Sequence, residues 1–231
     1  MGTISKATVL SVKEHGREIR EYTLLLEKNH YFEAGSFLQL TLENKEDYTR
    51  WPESRNFSIA SAFKEDGTIK LIIRKVGVYT SRIFDELIVG STCTVKYAFG
   101  DFLLPFFDKK APICCIAGGT GIAPILSFCE QLVRDNYTDR LHVFYSFKNE
   151  EEMQGVDMLK SIVPEAQLHL FCTRQEMAEL PKRRIEWKDI HTSDIDVTDS
   201  HFYICGGETF TSYFAKNLSA VGAENIYTDE W

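Results

Sequence analysis

The sequence predicts a two-domain protein, in which a closed antiparallel β-barrel is followed by an α/β domain built on a parallel sheet. Short β-rich runs separated by turn residues fill the first part of the chain. After the proline-bracketed segment PFFDKKAP at 105–112, strand and helix patterns alternate. The later strands are apolar on both faces, which is typical of a parallel sheet covered by helices. We therefore expect domains at residues 1–107 and 108–231.

The first domain is predicted from its strand patterns. Ile69, Leu71 and Ile73 alternate with their neighbours as in a half-buried strand. Only TSRIFDEL at 80–87 has a helical pattern, and many short strands with one helix indicate a closed barrel. The predicted strands are YTLLLE (22–27), SFLQLTL (36–42), NFSIAS (56–61), TIKLIIRK (68–75) and TCTVKYAF (92–99).

The second domain is predicted from apolar runs that alternate with amphipathic segments. The segment PILSFCEQLVRDN at 124–136 has apolar residues at helical spacing, and a second helical pattern runs from Phe210 to Val221. The predicted parallel strands are ICCIA (113–117), LHVFYSF (141–147), QLHLFCT (167–173), HFYIC (201–205) and NIYT (225–228).

Composition excludes several classes of partner. The net charge is -8 and there is no long block of lysine and arginine, so we expect no nucleic-acid partner. The six cysteines have neither zinc-type nor iron-sulfur-type spacing, so we expect reduced thiols and no metal site. No apolar stretch is long enough for a signal peptide or a membrane span. We expect a cytoplasmic monomer with no membrane association.

A glycine-rich turn follows the first strand of the second domain. Gly119, Gly121 and Pro124 in GGTGIAP have the G-x-G-x-x-G spacing of dinucleotide sites, with proline in place of the third glycine. A strand that ends in glycines and leads into a helix presents backbone N–H groups to a phosphate, and proline suits the first helical turn. Thr120 lies between the two glycines. The same spacing also fits a tight turn that binds no ligand.

Three further motifs carry a resemblance to a known family. They are RNFS at 55–58, GVYTS at 77–81 and CGGETF at 205–210. Together with GGTGIAP and an aromatic C-terminus, they resemble the ferredoxin-NADP reductase family in order and approximate spacing over essentially the whole chain. The resemblance implies a flavin-binding barrel and a nicotinamide-nucleotide domain, without a fused ferredoxin domain. It also implies that the glycine turn receives the nucleotide pyrophosphate.

The resemblance assigns the RNFS motif to the flavin. Arg55 corresponds to the arginine that binds the flavin phosphates, and Asn56 lies in the same motif. Phe57 takes the place of the usual tyrosine, which stacks on the isoalloxazine ring. Ser58 corresponds to the serine near flavin N5 and is assigned a catalytic role. The alternative is a core phenylalanine beside a surface arginine.

The resemblance assigns the GVYTS motif to the flavin phosphates. Gly77, Val78, Thr80 and Ser81 lie at the start of the predicted barrel helix, where small residues and hydroxyls bind phosphate well. Arg74 precedes this motif and is assigned to the same site. Thr80 could instead be an ordinary helix cap. We expect FAD rather than FMN.

The resemblance places the nicotinamide ring at CGGETF. Cys205 corresponds to a catalytic cysteine near the nicotinamide C4 atom, and Gly206 and Gly207 let the ring approach. The alternative is a buried core cysteine. By the same resemblance, Thr173 and Arg174 recognise the 2′-phosphate of NADP, and Arg183 and Arg184 could add charge. This assignment favours NADPH over NADH, although Arg183 and Arg184 could equally be solvated loop residues.

The end of the chain is assigned to the flavin as well. By resemblance, Trp231 stacks on the flavin face opposite Phe57 and must be displaced by nicotinamide before hydride transfer. The alternative is that Trp231 packs against the barrel. Asp229 or Glu230 could relay a proton, and the sequence does not choose between them.

The resemblance implies that NADPH reduces FAD, which then passes electrons to a separate ferredoxin or flavodoxin. The charge of -8 favours an alternative, the reduction of free flavin or another small acceptor, because acidic electron carriers prefer a basic face. A third possibility is a non-catalytic flavin-binding module or a subunit of a larger complex. The residues that could form a local basic face are Arg17, Arg20, Arg74, Lys75 and Arg82.

Overall fold

A computed structural model of the chain describes residues 2–44, 50–105, 107–193 and 195–230. The chain divides into two compact units, Met1–Leu103 and Leu104–Trp231. The boundary expected after residue 107 falls within the second of these units. No helix in the described ranges is long and apolar enough to cross a membrane.

Within the described residues, the first unit is an antiparallel barrel of six strands with one helix, which confirms the predicted barrel and adds one strand to the five predicted. The sheet order is β4-β3-β6-β1-β2-β5. Residues that follow β4 complete the closure, because Ile59 bridges Leu71 and the Ala60 amide donates to the Lys70 carbonyl at 2.8 Å. The elements are β1 (Thr3–His15), β2 (Ile19–Leu26), β3 (Phe37–Thr41), β4 (Arg55–Ser58), β5 (Thr68–Arg74), α1 (Val78–Glu86) and β6 (Thr92–Phe99).

Strand β1 was not predicted, although it is the longest strand of the barrel. Its inward positions begin with Ser5 and Ala7, which are small and give little hydrophobic contrast with their neighbours. The pairing with β2 then shifts register between Val9 and Ser11, and this interrupts the alternation. A period-2 pattern cannot be followed through such an irregularity in the sequence alone.

The second unit is a five-stranded parallel sheet with helices, and this part of the predicted fold is also confirmed. The strand order is β11-β10-β7-β8-β9, and every pair is parallel. The strands are β7 (Ile113–Gly118), β8 (Leu141–Phe147), β9 (Leu168–Cys172), β10 (His201–Gly206) and β11 (Asn225–Glu230). The helices are α2 (Ile122–Asp135), α3 (Val156–Ile162), α4 (Trp187–His191) and α5 (Glu208–Ala220).

The strand order of the parallel sheet determines where a ligand can bind. The chain runs from β7 outward through β8 and β9, then returns to place β10 on the other side of β7. Ligands of such sheets bind beyond the carboxyl ends of the strands, at the point where the order reverses. That point lies between β7 and β10, and the glycine-rich turns after both strands are located there.

Candidate functional site

The turn after β7 is built around two glycines with different surroundings. Gly119 has a φ of 57°, in the left-handed region that favours glycine. Gly121 has an ordinary φ of -61°, but a Cβ at this position would lie 2.3 Å from the Cys205 carbonyl oxygen. Gly121 is therefore required by close packing of the turn against β10. Thr120 is buried between the two, and Pro124 lies in the first turn of α2.

The turn after β10 contains one crowded glycine and one open glycine. A Cβ on Gly206 would lie 2.8 Å from the Phe210 ring, whereas a Cβ on Gly207 would meet no atom within 4 Å. Gly207 is the N-cap of α5, so the unpaired N–H groups of that helix start beside open space. Phe210 was not among the predicted site residues, although it ends the CGGETF motif. Its ring packs against the turn at Gly206.

Cys205 is fully buried at the end of β10. Burial, followed by the neighbouring Asp229 carboxylate, raises the pKa of the thiol well above its ordinary value. The thiol donates a hydrogen bond to Asp229, with 3.7 Å between Sγ and Oδ2. Glu230 instead lies 2.7 Å from the Thr211 hydroxyl. Asp229, rather than Glu230, therefore contacts the cysteine, whose place beside the nicotinamide stays a prediction.

The predicted 2′-phosphate residues lie just beyond β9. The Thr173 amide donates to the Phe147 carbonyl and the Arg174 amide to the Lys148 carbonyl, both at 2.9 Å, which prolongs the contact with β8. The side chains of Arg174 and Arg184 are exposed. Arg183 differs from both, because its guanidinium makes two contacts of 2.6 Å with Asp189, and this pairing raises the pKa of Arg183.

In the barrel unit, the RNFS motif forms β4 and pairs with β3. Arg55 lies opposite Leu40 and Phe57 opposite Leu38, and both leucines are fully buried. Phe57 is therefore half-buried against the barrel core. This position agrees in part with the alternative in which Phe57 is a core residue. Asn56 and Ser58 share the opposite face of this strand. The stacking of Phe57 on a flavin and the role of Ser58 stay predictions.

The GVYTS motif forms the start of α1. Gly77 is the N-cap, and a Cβ at this position would meet no atom within 4 Å. The Thr80 hydroxyl accepts hydrogen bonds from the amides of Val76 at 2.9 Å and Gly77 at 3.0 Å. Thr80 therefore caps the helix from within its first turn, which is the alternative role suggested for it. Val78 and Ser81 are exposed and half-buried respectively.

Arg55 lies beside α1 because of a residue that the sequence interpretation missed. Its guanidinium carbon is 4.5 Å from the ring centroid of Tyr79, the middle residue of GVYTS. Arg55 also donates to Glu53 Oε1 at 3.0 Å and to the Ser54 carbonyl at 2.8 Å. The structure thus brings RNFS and GVYTS together. Arg74 lies 3.5 Å from Glu18, and Trp231 lies outside the described residues.

Comparisons with known proteins extend over most of the chain. Residues 115–216 match the family model described as the oxidoreductase NAD-binding domain. The chain is 22% identical to the naphthalene 1,2-dioxygenase system ferredoxin–NAD(P)(+) reductase component of Pseudomonas putida, over 98% of this chain and 68% of that protein. It is 27% identical to the aromatic O-demethylase reductase subunit of Amycolatopsis sp., over 69% of this chain and 47% of the relative. It thus spans about two thirds of one relative and about half of the other.

Solved structures share the two-part fold. A ferredoxin NADP+ reductase from Neisseria gonorrhoeae with bound FAD and NADP has a TM-score of 0.81, with 20% identity and 98% coverage of both chains. The FAD/NAD-binding domain of nitric oxide dioxygenase from Vibrio cholerae has a TM-score of 0.83, with 15% identity and the same coverage. At these identities the likenesses show the fold, a β-barrel followed by a parallel sheet, and the family match of residues 115–216 shows an oxidoreductase NAD-binding domain in the second unit.

Proposed function

We propose that the chain is a flavin-dependent NAD(P)H oxidoreductase, which holds FAD on the barrel unit and the nicotinamide nucleotide on the parallel-sheet unit. The observation that carries the proposal is the pair of open helix starts at Gly77 and Gly207. Each lies in a family motif, and each leaves room where a methyl group would otherwise project. The start at Gly77 suits a flavin phosphate, because the unpaired N–H groups and the dipole of a helix N-terminus favour anions. The open space at Gly207 suits the nicotinamide ring that its motif is proposed to bind.

The residues at the barrel site fit a flavin phosphate. Arg55 supplies a planar cation beside the N-terminus of α1, and two of its N–H groups contact Glu53 and Ser54. A guanidinium has five N–H donors, so further donors remain for phosphate oxygens. Thr80 stabilises the first turn of α1 rather than offering an unused hydroxyl. We therefore assign the polar contacts of the phosphate to Arg55 and the backbone of α1.

The chemistry of the proposed reaction belongs to the bound groups, because a flavin accepts hydride from a reduced nicotinamide and passes electrons onward. The chain binds the flavin and the nucleotide, orients them, and excludes water from the site. Phe57 offers a flat apolar face and Ser58 a hydroxyl donor, while Cys205 stays protonated beside Asp229. A neutral, buried thiol contributes shape and a weak hydrogen bond at the nicotinamide side.

The proposed preference for NADPH depends on exposed arginines beyond β9. Arg183 is committed to Asp189, so Arg174 and Arg184 are the guanidinium groups assigned to the 2′-phosphate. We expect Arg174→Ala to weaken NADPH binding by on the order of tenfold or more, since a hydrogen bond to a charged group contributes about 1.5–3 kcal/mol. NADH binding should change little. Equal loss for both nucleotides would remove Arg174 from the phosphate site.

The proposed acceptor is a separate ferredoxin or flavodoxin. The Pseudomonas putida relative is named as a ferredoxin reductase component of a dioxygenase system, and this name supports a ferredoxin-type acceptor. A monomer and a cytoplasmic location complete the proposal. The location is supported by the six cysteines, which are all free and buried, as expected in a reducing compartment.

One observation favours a second candidate, the reduction of free flavin or another small acceptor. Three of the arginines expected to form a basic face lie beside carboxylates instead. The nitrogen to oxygen distances are 2.9 Å for Arg20 and Glu14, 3.5 Å for Arg74 and Glu18, and 2.9 Å for Arg82 and Glu86. These pairs reduce the positive field that would attract an acidic electron carrier.

Anaerobic titration tests the proposal and separates the two candidates. The protein is loaded with FAD and titrated with NADPH or NADH while the flavin absorbance is followed. Bleaching is expected, and a protein that binds no flavin or keeps its flavin oxidised would overturn the proposal. The reduced protein is then mixed with ferredoxin, flavodoxin or free FMN. Fast reoxidation by a carrier protein supports the first candidate, whereas fast reoxidation by FMN alone supports the second.

A further inference from the structure

We propose that Tyr79 is a positioning residue for the flavin site, which holds the Arg55 guanidinium beside the N-terminus of α1 in the orientation that binds phosphate. This inference rests on the proposed function. It assigns a role to the one large side chain in GVYTS, which the family resemblance leaves without a role. Its support comes from the ring of Tyr79, its hydroxyl group and the pairing of β4 with β3.

The ring of Tyr79 forms a surface for the arginine. The Arg55 guanidinium carbon lies 4.5 Å from the ring centroid, within the range in which a cation is attracted to an aromatic face. Tyr79 is 5% exposed, so the protein around it fixes the ring. Arg55 is about half exposed, with 47% of its side chain accessible. The ring therefore restricts a long side chain that solvent would otherwise leave free to change rotamer.

The hydroxyl of Tyr79 connects two chain segments that precede the RNFS motif. It lies 3.0 Å from the Glu53 carbonyl, two residues before Arg55, and accepts from the Leu42 amide at 3.2 Å. One hydroxyl can donate once and accept twice, so both contacts can form together. Tyr79 thereby joins the segment after β3, the segment before β4 and helix α1.

The backbone of Arg55 is placed by a separate set of contacts. Arg55 is paired with Leu40 in the β3–β4 ladder, so its backbone keeps this support when the contact between Tyr79 and the Glu53 carbonyl is lost. The ring of Tyr79 adds the direction of the Arg55 side chain. Substitution of Tyr79 should consequently affect the phosphate contact more than the strand.

Glu53 competes with a bound phosphate for the Arg55 side chain. Its carboxylate lies 3.0 Å from Arg55 Nη2, and about half of each side chain is exposed. Exposed ion pairs contribute little stability, so a phosphate can replace the carboxylate as partner. A guanidinium that stays on the ring during this exchange loses less conformational entropy when the phosphate binds.

Flavins with and without phosphate separate a positioning role from a general structural one. Tyr79→Leu removes the ring and hydroxyl, and we expect FMN and FAD to bind up to about tenfold more weakly, because ordering one long side chain on binding carries a cost of that size. Riboflavin, which lacks phosphate, should bind within about twofold of the wild type. Tyr79→Phe keeps the ring and should lose less phosphate-dependent affinity. Equal loss for riboflavin and FMN would overturn the proposal.

Tyr22→Leu is the matched control. Tyr22 is a fully buried tyrosine of the same barrel, and its ring packs on Phe84. The control should lower the free energy of unfolding without any change in the FMN to riboflavin affinity ratio. A double variant of Arg55→Ala with Tyr79→Leu should bind FMN no more weakly than Arg55→Ala alone. Additive losses would contradict action through Arg55.

A measurement without flavin separates failure of this inference from failure of the proposed function. NMR relaxation of the Arg55 Nε–H group measures the order parameter of this side chain in the flavin-free protein. We expect this order to fall in Tyr79→Leu and to persist in Tyr22→Leu. Unchanged order in Tyr79→Leu would refute the positioning role even if the protein binds flavin. A wild-type protein that binds no flavin would refute the function instead.

Discussion

Two glycines of the nucleotide motifs, Gly121 and Gly207, occupy opposite kinds of environment at the same end of the parallel sheet. A methyl group on Gly121 would lie 2.3 Å from a backbone oxygen of β10, whereas one on Gly207 would meet nothing within 4 Å. The first glycine lets two parts of the protein come together. The second leaves space beside a helix N-terminus. Only the second has surroundings that a ligand could fill.

This difference shows that a glycine in a motif can have either of two structural reasons. Glycine is selected where a side chain has no room, and the neighbouring atoms can belong to the protein or to a ligand. The motifs do not distinguish the two cases, since both residues are glycines in a turn. The structure distinguishes the two glycines by the atoms that surround each Cα. Substitution by alanine tests this distinction.

The largest expected effect is that of Gly121→Ala on stability. The added methyl would press on the Cys205 carbonyl, and because both sides are backbone the turn and β10 must move apart. Overpacking of this severity costs about 3 kcal/mol, which lowers the thermal midpoint by roughly 10 °C. Thermal unfolding followed by circular dichroism measures it.

Gly118→Ala is the matched control for this substitution. A Cβ there would lie 3.6 Å from the Phe210 ring, which is an ordinary contact distance. The control should unfold within a few degrees of the wild type. If both variants unfold alike, the tight packing of Gly121 against β10 is contradicted.

A smaller effect is expected for Gly206→Ala. Its methyl would lie 2.8 Å from a ring atom of Phe210, and a side chain can yield more easily than a backbone. We expect a loss of about 1 kcal/mol in unfolding free energy. In a double-mutant cycle, Phe210→Leu should relieve part of that loss. Strictly additive losses would show that Phe210 is not the residue displaced.

Much of the fold was predictable because its signals are local. Strands β6 and β8 have the predicted limits, since each is a compact run of β-formers between turn residues. The short helices α3 and α4 were missed because few of their residues are buried. Strand β1 was missed because small inward residues and a register shift conceal its periodicity.

The candidate site was predictable as a set of motifs but not as a set of contacts. The sequence located Gly119, Gly121, Gly206 and Gly207 without indicating which of them pack against the protein. It also omitted Tyr79, because a tyrosine in a family motif has no local signal for a contact with Arg55. Such contacts join residues far apart in the chain, and no short window of sequence contains both partners.

Gly207→Ala should affect nucleotide binding rather than stability. Its φ of -70° suits alanine, and the loss of a favourable N-cap residue opposes the gain from a less flexible unfolded chain. The net change in unfolding free energy should stay within about 1 kcal/mol. NADPH should bind about tenfold more weakly, because the methyl occupies the space assigned to the nicotinamide ring. Calorimetric titration measures this, and FAD affinity serves as the internal control.

The smallest expected effect is that of Gly77→Ala, and it extends the comparison to the barrel. Gly77 is also an N-cap with open surroundings, and its φ of -164° is extended backbone that alanine adopts without strain. Stability should therefore change by less than about 1 kcal/mol. Flavin binding should weaken only a few-fold, because Arg55 still contacts the phosphate while the methyl hinders its approach to α1. FMN and riboflavin titrations measure the effect, with NADPH affinity unchanged as the reciprocal control to Gly207→Ala. If Gly77→Ala instead destabilised the barrel as strongly as Gly121→Ala destabilises the parallel sheet, Gly77 would belong with the packing glycines, and the division between closed and open turns would fail in this unit.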